Sequence, residues 1–235
     1  MRGGHSIKTF AFIFARGGSK GLTGKNIRNL NGKPLIEYSI DIAKGISEID
    51  DVFVSTDCDI IAEVALRLGA KVIKRPCELA TDESPEWHSW QHAVDYVTQN
   101  FGLFHRFVSL PATSPLRGME DVCAALKKID SSSSDICISV TPANRSPYFN
   151  MVRFLPDHSV EVLNNTKTTV NRRQDSPDVY DITTVVYATT AQYIKDNQSI
   201  FSGRVTAVVV PKNRAVDIDD IYDLIWAEAI LNSEL

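Results

Sequence analysis

Residues 9–15 read TFAFIFA and residues 16–26 read RGGSKGLTGKN, and the junction between them decides the fold. The first run is apolar almost throughout and carries Phe10, Phe12 and Phe14. A strand covered by helices on both faces has no polar side, so such a run predicts a buried parallel strand. The second run sets Gly17, Gly18, Gly21 and Gly24 among the cations Arg16, Lys20 and Lys25. Glycines let backbone N–H groups approach an anion closely, and three cations neutralise phosphate oxygens. This pattern after a first strand suits a triphosphate better than a neutral ligand. A solvated basic turn is the bland alternative. The loop is not a Walker A motif, because Asn26 follows Lys25 where Ser or Thr is required, and the adjacent Gly17 and Gly18 break the GxGxxG spacing.

Outward from this junction the pattern repeats. Pro34 opens a helical apolar spacing through Leu35, Ile36, Ile40, Ala43 and Ile46. Residues 51–56 predict a strand, 59–68 an amphipathic helix stopped by Gly69, and 70–74 another strand. Helices are expected over 85–100 and 118–129, and strands over 107–110 and 136–140. Strands over 182–188 and 205–210 and a closing helix over 221–231 follow. Alternating strands and helices mean an α/β fold with a mostly parallel sheet. Residues 141–175 break the rhythm, being polar and holding Pro142, Pro147 and Pro156, and are read as an insertion, a dimer arm or a lid.

The chain has 235 residues, 43% hydrophobic and 23% charged, which fits one globular domain and excludes disordered and fibrous classes. The net charge of −4 argues against a surface that wraps nucleic acid. Cys58, Cys77, Cys123 and Cys137 lie far apart with no CxxC pair, so neither a disulfide framework nor structural zinc is expected. Reduced thiols, no membrane-spanning apolar run and no apolar leader in residues 1–8 predict a cytoplasmic protein free of membranes.

Further motifs give the chain a resemblance. ARGGSKG at 15–21 with Lys25 and Asn26, then GKPLIEYSI at 32–40, is similar to the cytidylyltransferases that activate sialic acids and related nine-carbon sugar acids. The segment 54–57, Arg75-Pro76 with ELATD at 78–82, TSPLR at 113–117, RQD at 173–175 and DID at 217–219 agree, in family order, over nearly the whole chain. The resemblance implies a three-layer, Rossmann-like nucleotide-diphospho-sugar transferase fold, a symmetric dimer built through the 141–175 arm, and transfer of CMP from CTP to the sugar's anomeric hydroxyl with release of pyrophosphate. It also implies a divalent cation, Mg²⁺ or Mn²⁺.

The implied roles are chemically sensible. Arg16, Lys20 and Lys25 would hold phosphates and stabilise the leaving pyrophosphate. Gly17, Gly18, Ser19, Asn26 and Arg75 would bind the nucleotide, with Ser84 beside them or, equally, capping a helix before Pro85. Asp217 and Asp219 alternate along an extended segment and would hold the metal, although Asp219 or Asp220 could instead cap the last helix. Arg172, at the reacting centre, Gln174 and Thr183 would face the sugar, the alternative for the arginines being a surface cluster with Asp175 and Asp178. Arg117 would hold phosphate or the sugar's carboxylate, or end a strand. Trp87, His88, Trp90 and His92 read as helix core or an aromatic pocket wall, with zinc disfavoured for want of a third ligand.

Two other classes compete. A dinucleotide oxidoreductase shares the early glycine loop but needs GxGxxG, and a non-catalytic relative would lack the loop cations or the carboxylates that are present here. The chain departs from sialic acid enzymes in having Leu110-Pro111-Ala112 where a Gln usually precedes TSP, and YDITT at 180–184 where Asn-Gly is usual. The second feature looks more like enzymes for legionaminic-type acids, and a pocket with fewer amide contacts and aromatic surface from Trp87 and Trp90 would suit those sugars.

Overall fold

The computed structural model describes residues 7–19, 21–164 and 176–233. The opening run forms β1 (Thr9–Phe14), an interior strand buried on both faces. Period-two alternation sends Phe10 and Phe12 to one face and Ala11 and Ile13 to the other. Along the chain follow β2 (Asn29–Leu30), β3 (Lys33–Pro34), α1 (Leu35–Gly45), β4 (Asp51–Thr56), α2 (Asp59–Arg67) and β5 (Lys71–Lys74). Then come α3 (Glu86–Phe101), β6 (Arg106–Ser109), α4 (Met119–Ser131), β7 (Ile136–Pro142), β8 (Val152–Phe154) and β9 (Val160–Val162). β10 (Tyr180–Thr190), α5 (Ala191–Asp196), β11 (Val205–Val209) and α6 (Ile221–Leu231) complete the order.

Seven strands form one sheet in the order β11-β7-β10-β6-β1-β4-β5. All pairings are parallel except those of β10, which runs antiparallel to both β6 and β7. Helices α1, α2 and α4 cover one face through residues such as Ile40, Ala65 and Leu126. The other face buries Phe10, Phe12, Phe53 and Phe107 against Trp87, Trp90 and Val94 of α3 and Ile194 of α5. The expected three layers and mostly parallel sheet are therefore present.

Two local features shape the carboxyl end of the sheet. Asn31 and Gly32, at φ 47° and 88°, turn β2 into β3, the left-handed pair that a tight hairpin demands. In β10 the register to β7 slips between Thr183 and Tyr187, and the Ser139 hydroxyl fills the slip by accepting from the Val186 N–H at 3.0 Å and the Thr183 hydroxyl at 2.8 Å. Beyond β7, the described part of the insertion is the antiparallel hairpin β8–β9, whose Val152, Phe154 and Val160 are exposed.

Candidate functional site

A cavity of about 550 Å³ opens at the carboxyl ends of β1, β5, β6 and the residues around Asp217. Open α/β sheets bind ligands at this edge, where successive crossovers leave the first strand in opposite directions. The glycine-rich loop forms one wall through Arg16, Ser19, Gly21, Lys25 and Asn26. Residues after β5 form the second, with Arg75, Leu79, Ser84 and Glu86, and the loop after β6 brings Pro111, Ala112 and Thr113. Thr184, Asp217 and Asp219 close it.

Backbone and side-chain contacts hold the loop in shape. The Gly17 N–H donates to Asp57 Oδ1 at 3.0 Å, and Asn26 Nδ2 donates to the Arg16 carbonyl at 3.0 Å. Gly21 must be glycine, since a Cβ there would lie 2.5 Å from the Asp219 carbonyl oxygen. Arg16 pairs with Asp82 at 2.6 Å and Lys25 with Asp219 at 3.0 Å, so each cation faces the cavity from a fixed anchor. Arg75 is buried, donates to the Ser55 carbonyl at 2.8 Å and lies over the Phe14 ring. Burial lowers its pKa, and Asp57 and Glu86 oppose that.

Asp217 is the unusual group. Its carboxyl is half-buried, and Oδ1 is enclosed without a hydrogen-bond partner. Burial raises its pKa, while the Thr113 and Thr184 hydroxyls and Lys25 oppose that and Asp219 adds to it. An enclosed acceptor with no donor costs about 1–3 kcal/mol, so the position suits a group that supplies positive charge. Asp219 is not spent on α6, because Asp220 caps that helix by accepting from the Tyr222 and Asp223 N–H groups, and the Asp219 carboxylate meets Lys25 at the cavity. Two hard carboxylates suit Mg²⁺ or Mn²⁺, which take one or two carboxylates with phosphate oxygens and water. Among the described residues no cluster of three His, Cys, Asp or Glu side chains forms.

Most expected site residues thus meet in one place: Arg16, Ser19, Lys25, Asn26, Arg75, Ser84, Asp217 and Asp219 line the same cavity. Gly17 and Gly18 shape the loop behind it. Ser84 does not cap α3, whose N-cap is Pro85. Lys20, Arg172 and Gln174 lie outside the described residues.

Two expectations are corrected, and one open alternative is decided. Arg117 is only 3% exposed and turned into the protein, where Nε donates to the Val185 carbonyl at 2.8 Å and the other nitrogens to Ser39 Oγ and the Pro111 and Thr184 carbonyls. Its donors are spent on the cavity's supporting walls, so it cannot hold a sugar. Burial pushes its pKa down to about 9, and it remains charged at neutral pH. Thr183 likewise points inward to Ser139, and the adjacent Thr184 lines the cavity instead. Trp87 and Trp90 take the core alternative, and the apolar lining comes from Phe14, Leu79, Pro111 and Ala112. Glu86, like Ser89 and Thr184, is a lining residue that the sequence reading did not single out; its signal was a carboxylate just ahead of the buried Trp87.

Residues 10–215 match the cytidylyltransferase family. The chain is 33% identical over 222 residues to the CMP-N,N′-diacetyllegionaminic acid synthase of Campylobacter jejuni, with 94% of this chain and 93% of that protein aligned. It is 31% identical over 224 residues to the post-translational flagellin modification protein B of Campylobacter coli, with 94% of each covered. Among solved structures, CMP:2-keto-3-deoxy-manno-octonic acid synthetase complexed with CTP shares the fold at a TM-score of 0.71 and 17% identity, over 97% of this chain and 100% of that one.

Proposed function

The chain belongs to the cytidylyltransferase family, and on that premise we propose that it transfers CMP from CTP to the anomeric hydroxyl of a nine-carbon sugar acid and releases pyrophosphate. The observation that carries this reading is the convergence of Arg16, Lys25 and Arg75 with Asp217 and Asp219 on one cavity. Arg16 and Lys25, with Lys20 of the same loop, bind the phosphates and offset charge as pyrophosphate departs. Asn26 and Arg75 hold the nucleoside, with Ser84 beside them. Asp217 and Asp219 hold Mg²⁺ or Mn²⁺, which when bound offsets phosphate charge. Arg172 and Gln174 meet the sugar acid, as the family resemblance implies. The sugar's hydroxyl attacks the α-phosphorus in line, its proton passing to solvent.

The preferred sugar is a legionaminic-type acid. Pro111 lines the cavity where sialic acid enzymes usually carry Gln, so a side-chain amide contact is absent at that position. One lost polar contact is worth about 1–3 kcal/mol, enough to reorder related substrates. The exposed apolar residues of β8–β9 support a symmetric dimer formed through the arm. Free thiols, with Cys77 exposed, fit a cytoplasmic enzyme. Pyrophosphate release measured with each of the four nucleoside triphosphates, Mg²⁺ and N,N′-diacetyllegionaminate tests the reaction class. Release with CTP alone is expected, and equal release with ATP or GTP would refute it.

A further inference from the structure

We propose that Glu86 reads the ribose: its carboxylate accepts the 2′- and 3′-hydroxyls of CTP and makes it a specificity-determining residue. This inference rests on the nucleotidyl-transfer reading above. Glu86 opens α3 and lines the cavity with Arg75 and Ser84. Its side chain is open to the cavity, and among the described residues it forms no salt bridge.

The chemistry of the two substrates decides what such a group can bind. An ionised carboxylate only accepts hydrogen bonds. The triphosphate and the sugar acid's carboxylate are anions, so a carboxylate beside either would repel it. Neutral donors remain, hydroxyls together with amino and amide N–H groups, and of these a vicinal diol engages both oxygens of one carboxylate. Position in the sheet separates the two sets of hydroxyls. Arg75 directly follows β5, on the opposite side of β1 from β6 and β10, which bring Pro111 and Thr184 to the cavity. Glu86 stands with Arg75 and Ser84 on the wall built by the residues that follow β5. It therefore belongs to the nucleoside side, and the two oxygens of one carboxylate span a vicinal diol, as acidic residues do at ribose in other α/β nucleotide sites.

A second observation concerns Trp90, four residues along the same helix. Its indole N–H is enclosed and meets no acceptor in hydrogen-bond geometry, yet it lies on the Glu86 side and acts on that carboxyl. Burial raises the Glu86 pKa, Trp90 and then Arg75 oppose this only in part, and Asp217 adds to it. A first-turn acid could instead serve only the dipole of α3, and the test separates the two roles.

Isothermal titration of CTP, 2′-deoxy-CTP and 3′-deoxy-CTP into the full chain with Mg²⁺, for the wild type and for Glu86→Gln, needs no sugar acid. Wild type should bind CTP about 10- to 100-fold more tightly than either deoxy analogue, the range of a hydrogen bond to a charged acceptor. Glu86→Gln should bind all three alike, at the deoxy level. The KM for N,N′-diacetyllegionaminate should stay within about twofold of wild type. Undiminished discrimination in Glu86→Gln, equal binding of all three nucleotides by wild type, or an effect confined to thermal stability or to the sugar KM would overturn the assignment while leaving the transfer reaction standing. A wild-type chain that binds no CTP at all would instead overturn the reading on which it rests.

Discussion

Gly21→Ala probes how closely the phosphate loop is fitted to the carboxylate segment. Gly21 has backbone angles outside the left-handed region, so alanine brings no conformational penalty of its own. Its Cβ would nevertheless stand 2.5 Å from the backbone oxygen of Asp219, against a practical minimum of 3.0 Å, so the two segments must part by at least 0.5 Å. That oxygen cannot swing aside as a side chain would. The Ile218 N–H is bonded to the Thr113 carbonyl at 2.8 Å, and Asp219 is paired with Lys25 at 3.0 Å. Forced overpacking costs about 1–3 kcal/mol. A displacement on the order of 1 Å at a reacting centre can cost about a hundredfold in rate, so a smaller shift should lower kcat/KM by about 10- to 100-fold. Gly45→Ala is the comparison. It also meets a close neighbour, but that neighbour is the flexible end of Met119, on the helix-covered face away from the cavity. Initial-rate pyrophosphate release should fall for Gly21→Ala and stay near wild type for Gly45→Ala. A Gly21→Ala enzyme within about twofold of wild type would refute the reasoning.

Three further outcomes are expected. Arg117→Met leaves the Val185, Pro111 and Thr184 carbonyls without their donor, so stability should fall by about 3 kcal/mol or more in urea denaturation; a sugar-binding arginine would change KM and leave stability intact. Asp217→Asn should abolish Mn²⁺ binding measured by electron paramagnetic resonance and lower turnover at least about a hundredfold, and near-normal turnover at saturating Mg²⁺ would reject the metal role. Light scattering should give a mass twice the 26.1 kDa chain, reduced to one chain by Phe154→Glu at a position 78% exposed; a fully active wild-type monomer would contradict the dimer.

The sequence carried the parts of the fold that depend on local periodicity. The continuous burial of β1 and the helical spacing of α1 and α3 follow from which residues can face a core. Strand direction does not. The apolar run that became β10 reads the same in either orientation, and only its partners β6 and β7 reveal that it is antiparallel. The same limit explains Thr183 and Thr184, where a register slip set by Ser139, a residue more than forty positions away, decides which hydroxyl turns to the cavity. Arg117 misled because a cation beside a family motif looks like a ligand-binding group, whereas its four acceptors come from residues remote in sequence or hidden in the backbone. Trp87 and Trp90 were legible as core from their spacing of three on one helix face, which outweighs their appeal as a sugar platform. That Arg16, Lys25, Asp217 and Asp219 share one cavity was readable because clustered like charge has few purely structural uses.

The central claim is that the α-phosphorus of CTP is joined to a nine-carbon sugar acid. The direct measurement is phosphorus-31 NMR of the chain incubated with CTP, Mg²⁺ and N,N′-diacetyllegionaminate, with N-acetylneuraminate as competitor. The three CTP resonances should disappear, with equimolar pyrophosphate and a new phosphodiester signal that couples to the sugar, the legionaminic product being in excess. Unchanged CTP, or CMP and pyrophosphate with no sugar-linked phosphodiester, would contradict that claim.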